Sequence, residues 1–354
     1  MTGRPGAADR PRPRPALSVV VPCRMAGAAG VAMRGALLRL CLAALDRQSA
    51  ARESFEVVIV DDAGDTAVAE HLAAYAAEHP SIHPRVVRNE GAPLGVAGAY
   101  NLGVAEAAGE LVLLSTDDSL LAPDTVAAHL RAQARRGYPS YVCGIEHQYL
   151  AGVLFRDIIT GALHPPDDLA VRTFGGLLGF ADIRYGAEML GLTGWTVTPE
   201  DVRSRFAGVL DRTSLPPNFR DIYAELRSER EDLRWLCVRM GNHSIARGAL
   251  LRIGGVDPDL PGANSDQDLG LKLVAAGIPI VLEPAALSVL VEHRRNVRAF
   301  ADHSGLARLA QRWARPEVEY LHHYFSAGYR RSIADYRRLL AAVTAPPLST
   351  VDTS

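Results

Sequence analysis

The sequence predicts an α/β protein built on a doubly wound, mostly parallel, Rossmann-like central sheet. Two observations carry this. Short apolar runs alternate strictly with helical patterns through about the first 145 residues. Acidic residues then recur where apolar runs end or helical patterns open, and carboxylates at strand ends face the crevice where open α/β sheets bind ligands.

Leu17 to Pro22 reads as a buried first strand closed by its proline. Met33 to Gln48 places Leu37, Leu38, Cys41, Leu42 and Leu45 at helical spacing. Phe55 to Val60 is a second strand. Thr66 to Glu78 is an alanine-rich helix with Pro80 beyond its end. Pro84 to Arg88 is a short strand, and Gly95 to Ala108 a helix with Gly109 expected as its C-cap. Leu111 to Ser115 is the next strand, and Pro123-Asp124 opens another helix. After Tyr141–Ile145 the rhythm breaks. Regular pattern returns at Trp235 and holds to about His293, followed by an arginine-rich helical stretch.

The bulk properties exclude several classes. The 354 residues are 48% hydrophobic and 22% charged, ordinary for a globular protein. A net charge of −2 gives no electrostatic case for nucleic acid. Lys272 is the only lysine, which reads as coding bias toward arginine. Cys23, Cys41, Cys143 and Cys237 are scattered without CxxC spacing, which fits a reducing compartment better than a zinc site or a disulfide framework. No apolar run reaches the ~18 residues that span a bilayer. Residues 1–15 have no apolar core of a secretory signal and read as a disordered tail.

Three acidic sites carry the candidate chemistry. Asp61-Asp62 directly follows a strand, where carboxylates accept hydrogen bonds from base N–H and sugar hydroxyl groups; an Asp-capped turn is the ordinary alternative. Thr116-Asp117-Asp118 follows a strand expected to be central. Adjacent carboxylates repel unless a proton or cation intervenes, and hard oxygen donors suit Mg²⁺ or Mn²⁺. Asp266-Gln267-Asp268 opens a helical pattern, either as a general base aimed into the crevice or as charge complementing the helix dipole. His293 ends an apolar run and is a metal-ligand candidate, although a lone histidine there is more often structural. Trp195, Trp235, Phe180 and Tyr185 are candidates for stacking on a sugar or acceptor, with core packing the ordinary alternative. The chain has no GxGxxG at the first strand–helix junction, no GxxxxGK[ST], no GxSxG and no HExxH. These absences disfavour nicotinamide dehydrogenases, Walker-type ATPases and the common hydrolase signatures.

Taken in order, the segments resemble the family 2 glycosyltransferases of the GT-A fold. Leu17–Pro22 is similar to the family's "SVVIP" strand and Glu56–Gly64 to "EVIVVDDGS". Asn89-Glu90-Gly91 and Gly98–Gly103 resemble "N-x-G" and "ARN-x-G". Gly109–Pro123 resembles the strand carrying D-x-D, Gly241–Asp257 the run ending "GGFDE", and Ser265–Leu269 "ED-x-DL". The similarity covers about residues 17–145 and 238–295. Thr116 stands where the first Asp of D-x-D is usual, and Ser265 where the Glu before the base is usual.

The resemblance implies an inverting, metal-assisted transferase. Asp266 would be the catalytic base. Pro22, Asp61, Asp62, Asn101 and Asp117 would form the nucleotide-sugar site, with Asn101 positioning the nucleotide or bracing loops. Asp118 and His293 would hold Mg²⁺ or Mn²⁺, and Trp195, Trp235 and Asp268 would lie on the acceptor side. The donor would be a UDP, dTDP or GDP sugar. The acceptor would be a saccharide, a lipid-linked group or a small natural product. The implied organisation is a tail (1–15), a nucleotide-sugar half (16–145), an acceptor-side insertion (146–233), a catalytic half (234–295), a helical C-terminal extension (296–345) and a tail (346–354). A cytoplasmic location is expected. Peripheral contact with the inner membrane face, through the arginine-rich stretch, and a homo-oligomer both stay open. A sugar nucleotidyltransferase and a non-catalytic nucleotide-sugar scaffold on the same fold are the alternatives.

Overall fold

A computed structural model describes residues 14–64, 66–136, 139–165, 167–168, 194–261, 263–294, 304–325 and 332–344. Phe180, Tyr185, Arg295, Arg298, Arg330 and Arg331 lie outside the described residues.

The first half follows the expected alternation: β1 (Leu17–Cys23), α1 (Gly27–Asp46), β2 (Phe55–Asp61), α2 (Ala67–Glu78), β3 (Arg85–Arg88), α3 (Gly95–Glu106), β4 (Leu111–Ser115), β5 (Ser119–Leu121), α4 (Thr125–Arg136) and β6 (Tyr141–Tyr149). A small hairpin, β7 (Phe155–Asp157) and β8 (Ala162–Leu163), and the helix α5 (Pro217–Arg227) come next. The sheet is completed by β9 (Asn242–Ala246) and, after helix α6 (Ala263–Ala275), by β10 (Ile280–Val291). Helices α7 (Ser304–Trp313) and α8 (Ile333–Thr344) close the described chain.

Eight strands form one mostly parallel sheet in the order β3-β2-β1-β4-β9-β6-β10-β5. Side chains alternate between faces along a strand, and β1 shows both. Val19 and Val21 pack with Leu38, Cys41 and Leu42 of α1, whereas Val20 packs with Tyr100 and Val104 of α3. Helices on both faces explain why β1 is buried along its whole length. Pro22 does not end the strand. It sits past the last β1–β4 pair, Val20 with Leu114, while still opposite Val60 of β2.

Three local departures have physical causes. Helix α1 begins at Gly27, six residues before the apolar periodicity starts, because its Ala- and Gly-rich first turns carry no apolar stripe. Gly109 is not a left-handed cap. A Cβ there would lie 2.7 Å from Ser18 N and 2.8 Å from Leu17 C, so the residue is glycine for close backbone approach. Strand β9 is central yet polar, and so carries no strand pattern in sequence. His129 of α4 satisfies it from the side, with Nδ1 2.9 Å from Ser244 Oγ and Nε2 2.9 Å from Asn242 Oδ1.

The C-terminal helices pack on the main core through Leu306, Leu309, Ile333 and Tyr336, and ion pairs tie some of their arginines to it. Arg312 pairs with Asp257 and with Asp268 at 3.0 Å. Arg337 reaches Glu225 at 2.5 Å and Asp232 at 2.7 Å. No helix of the described residues is long and apolar enough to cross a membrane.

Candidate functional site

Two of the acidic sites meet where the central strands β4 and β9 pair. Strand β9 runs antiparallel to β4, with Ser115 opposite Asn242, so the chain leaves β4 where it enters β9. Asp117 and Asp118 follow β4, and Met240 precedes β9. The Met240 N–H donates to Asp266 Oδ1 at 3.2 Å. Beneath them, the buried Tyr100 hydroxyl donates to the Ser115 carbonyl at 2.7 Å and lies 3.4 Å from the Met240 carbonyl. Burial holds its proton by pushing its pKa well above the usual value.

His293 arrives from the end of β10, beside the edge strand β5. Strand β5 pairs antiparallel with β10, Ser119 opposite Leu290, and the Val291 N–H donates to the Asp118 carbonyl at 2.9 Å. That register sets His293 Nε2 2.9 Å from Asp118 Oδ2. His293 Nδ1 lies 3.0 Å from the Arg294 carbonyl, an acceptor only, so Nδ1 carries a proton. The Nε2 lone pair of that tautomer faces a carboxylate, an arrangement that needs a proton or a cation between the two.

The pair therefore fits a divalent cation. Neighbouring donors of an octahedral ion with bonds of ~2.1 Å stand about 3 Å apart, which matches the Asp118–His293 separation. Mn²⁺ accepts imidazole and carboxylate together more readily than Mg²⁺ does. Among the described residues no group of three or more His, Cys, Asp or Glu side chains forms a complete cage. A cation here would need donors from a ligand such as a diphosphate. Thr116 Oγ1 is buried without a hydrogen-bond partner.

Arg34 of α1 joins the site without any sequence signal of its role. Its Nη1 lies 2.6 Å from Asp117 Oδ1 and 3.7 Å from Asp118 Oδ2. Burial opposes its charge, but the two carboxylates outweigh this and raise its pKa. Burial also raises the Asp117 carboxyl, with Arg34 opposing and Asp118 adding to the rise. No motif flags Arg34, which is one of two arginines in α1.

Asp266, in the first turn of α6, is the poised group. Burial pushes its pKa up to about 7, against the lowering effects of nearby Arg239 and the Met240 N–H. A carboxyl titrating near neutrality suits proton transfer. Beside it a pocket is lined by Glu146, Phe219, Tyr223, Arg239 and His243, and Arg239 stacks 4.9 Å over Phe219.

Other expected site residues fall elsewhere. Asp61 Oδ1 accepts from the Ala63 and Gly64 N–H groups at 3.1 and 3.2 Å, in the turn after β2. Asp62 braces the start of α3, accepting from Leu94 N at 2.7 Å and Gly95 N at 3.0 Å. Asn101 clasps the chain at Val256, donating to its carbonyl at 2.6 Å and accepting from its N–H at 2.9 Å. Both amide ends thus brace the chain at Val256, the second of the two roles expected of Asn101. Trp235 is 1% exposed in the main core and has no face for an acceptor. Asp268 is fully buried, held by Lys272 at 2.8 Å, Arg312 at 3.0 Å and the Trp313 indole N–H at 3.0 Å. Its role is docking α7, not touching an acceptor. Trp195 is half-buried against the second core cluster, and its carbonyl accepts from Tyr149 Oη at 2.6 Å.

Comparison with known proteins bears on the family and the fold. Residues 18–169 match the family described as Glycosyl transferase family 2. An uncharacterized glycosyltransferase of Bacillus subtilis, YfnE, is 22% identical over 81% of the chain and 71% of its own length. The validoxylamine A glucosyltransferase of Streptomyces hygroscopicus subsp. jinggangensis is 26% identical over 90% of the chain, which spans 65% of that relative's length. The fold is shared with S. aureus TarS residues 1–349, solved with UDP-GlcNAc, at a TM-score of 0.52 and 13% identity over 94% of this chain and 76% of that one. Of the alternatives left open by the sequence, the transferase is the one these relatives support.

Proposed function

Because residues 18–169 match the family 2 glycosyltransferases and the chain has a GT-A-like fold, we propose that it is one of them and moves a sugar from a nucleoside-diphosphate donor to an acceptor hydroxyl with inversion, using Asp266 as general base. The observation that carries this reading is a carboxyl with a pKa of about 7 at a helix start, tied through Met240 and Tyr100 to the loop bearing Asp117 and Asp118.

Asp266 takes the acceptor proton as the acceptor oxygen attacks the anomeric carbon from the face opposite the diphosphate. A single displacement inverts that carbon, through the oxocarbenium-like character familiar from glycoside hydrolysis. Asp118 and His293 are the residues that would hold Mn²⁺ or Mg²⁺. A cation bound there offsets charge on the diphosphate leaving group. In this reading Asp61, Asp62 and Asp117 serve the nucleotide sugar, the first two by shaping the turn after β2 and the start of α3. The acceptor in this reading is a saccharide, a lipid-linked group or a small natural product bearing a free hydroxyl. A cytoplasmic location belongs to this reading, supported by four buried, unbridged cysteines.

The test is turnover of UDP-, GDP- and dTDP-sugars with Mn²⁺ or Mg²⁺ and a panel of polyhydroxylated acceptors, with the product anomer read by NMR. Retention of configuration, or full activity of Asp266→Asn, would sink the reading.

A further inference from the structure

Among the described residues, an arginine of the chain itself sits on the acidic pair. Arg34 reaches Asp117 and Asp118 from α1, and it lies at the same Oδ2 of Asp118 that faces His293 Nε2. The helix that delivers it is anchored: Leu37, Leu38, Leu40, Cys41 and Leu42 are buried against the sheet, and Cys41 Sγ donates to the Thr116 carbonyl at 3.6 Å. The guanidinium is thus a fixture of the site rather than a chance surface pair, which would contribute little.

We propose that Arg34 is a built-in competitor for the divalent cation. It neutralises Asp117–Asp118 when no cation is present, and so sets how tightly the site takes metal before the donor arrives. This rests on the reading of Asp118 and His293 as cation donors. Two positive charges cannot both sit on Asp118 Oδ2 without repulsion, which at these separations is strong even at a high effective dielectric constant. Free metal therefore binds weakly. A donor diphosphate adds negative charge and oxygen ligands, which lets the guanidinium and the cation be accommodated together. The chain thus couples metal uptake to donor binding through one arginine. Its role is positioning and electrostatic, since nothing in the geometry brings it to the reacting atoms.

The experiment is direct titration of Mn²⁺ alone, read by its electron spin resonance signal, into the folded wild type, Arg34→Gln, Arg34→Lys and Asp118→Asn. Circular dichroism verifies the fold. Arg34→Gln is expected to bind Mn²⁺ about tenfold more tightly than wild type, Arg34→Lys to stay close to wild type, and Asp118→Asn to lose binding. Repeated with UDP and GDP, the gap between wild type and Arg34→Gln should narrow for whichever nucleotide binds. Unchanged or weaker Mn²⁺ affinity in Arg34→Gln, with Asp118→Asn still deficient, overturns the competitor role and leaves the cation site standing. The competitor role is equally overturned if Arg34→Gln misfolds while Arg34→Lys binds Mn²⁺ about tenfold differently from wild type. Absence of Mn²⁺ binding in every folded variant overturns both the competitor and the cation site.

Discussion

His293 Nε2 stands 2.9 Å from Asp118 Oδ2, although 175 residues separate them in sequence. The contact is set by main-chain register: β5 pairs with β10, and the Val291 N–H is bonded to the Asp118 carbonyl. A histidine at a strand end and a carboxylate after another strand become one site through a three-residue edge strand.

If these two groups hold a cation, either substitution removes it. Asp118→Asn and His293→Ala should each weaken Mn²⁺-dependent nucleotide binding by about 100-fold, a loss of the order seen when supporting groups of metal sites are removed or larger. Calorimetry of UDP and GDP with and without Mn²⁺ measures it. Equal affinity in the variants would remove the site from the mechanism.

Asp266 links activity to pH. With its carboxyl pushed up to about 7, transfer should rise with pH through that value and level off above it. Asp266→Asn should lower kcat by roughly 10²–10⁴ and lose that limb, with donor affinity retained. The same shift has a stability sign. The folded pKa lies above the ordinary 3.8, so the ionisation penalty is absent below 3.8 and complete above about 7. Asp266→Asn should therefore melt higher than wild type at pH 8, by on the order of several degrees. A lower melting point would contradict the buried-carboxyl account.

Acid should weaken the fold through two buried histidines. Burial lowers His129 to about 4 and His243 to about 3, below the usual 6.5. The unfolded chain binds more protons across that window, so stability present above pH 6.5 is lost as pH falls toward 4. The loss should reach on the order of a few kcal/mol. Urea melts between pH 7 and 4 measure it, and His129→Gln should flatten the decline.

Trp235 separates core from site. Trp235→Ala should cost about 3–5 kcal/mol of stability, read by chemical denaturation. A folded Trp235→Ala with normal stability and a raised acceptor KM would restore its acceptor role.

Asp268→Asn leaves Lys272 and Arg312 without their shared buried carboxylate. The expected loss is on the order of 3 kcal/mol, with faster hydrogen exchange across Ser304–Trp313 and unaltered donor affinity. Unchanged exchange there would count against the docking role.

The strands of the first half were legible because each is apolar along its length. β1 and β2 are buried on both faces, and that leaves a continuous run in sequence. Asp117, Asp118, Asp266 and His293 were legible because each terminates or opens such a run. The remaining features are held by partners rather than by pattern. Strand β9 is polar because α4 satisfies it through His129, which no periodicity reveals. Asp268 and Trp235 carried the residue types of a site, yet Lys272, Arg312 and the surrounding core absorb them. Arg34 has no neighbouring motif, and only the packing of α1 on the sheet carries it to Asp117. Asn101 was expected to position the nucleotide or to brace loops, and only the fold reveals that its amide bonds to Val256 at both ends.

The single hydroxyl of Tyr100, set between the carbonyls of Ser115 and Met240, has a consequence for how such an enzyme diversifies. One rivet beneath the sheet fixes the spacing between the two loops, whatever is inserted between β6 and β9. Chimeras that exchange residues 150–233 for those of a relative should keep the reaction's alignment as long as Tyr100 and the β4–β9 ladder are retained. The long segment between β6 and β9 can then change across a lineage while the two loops keep their spacing.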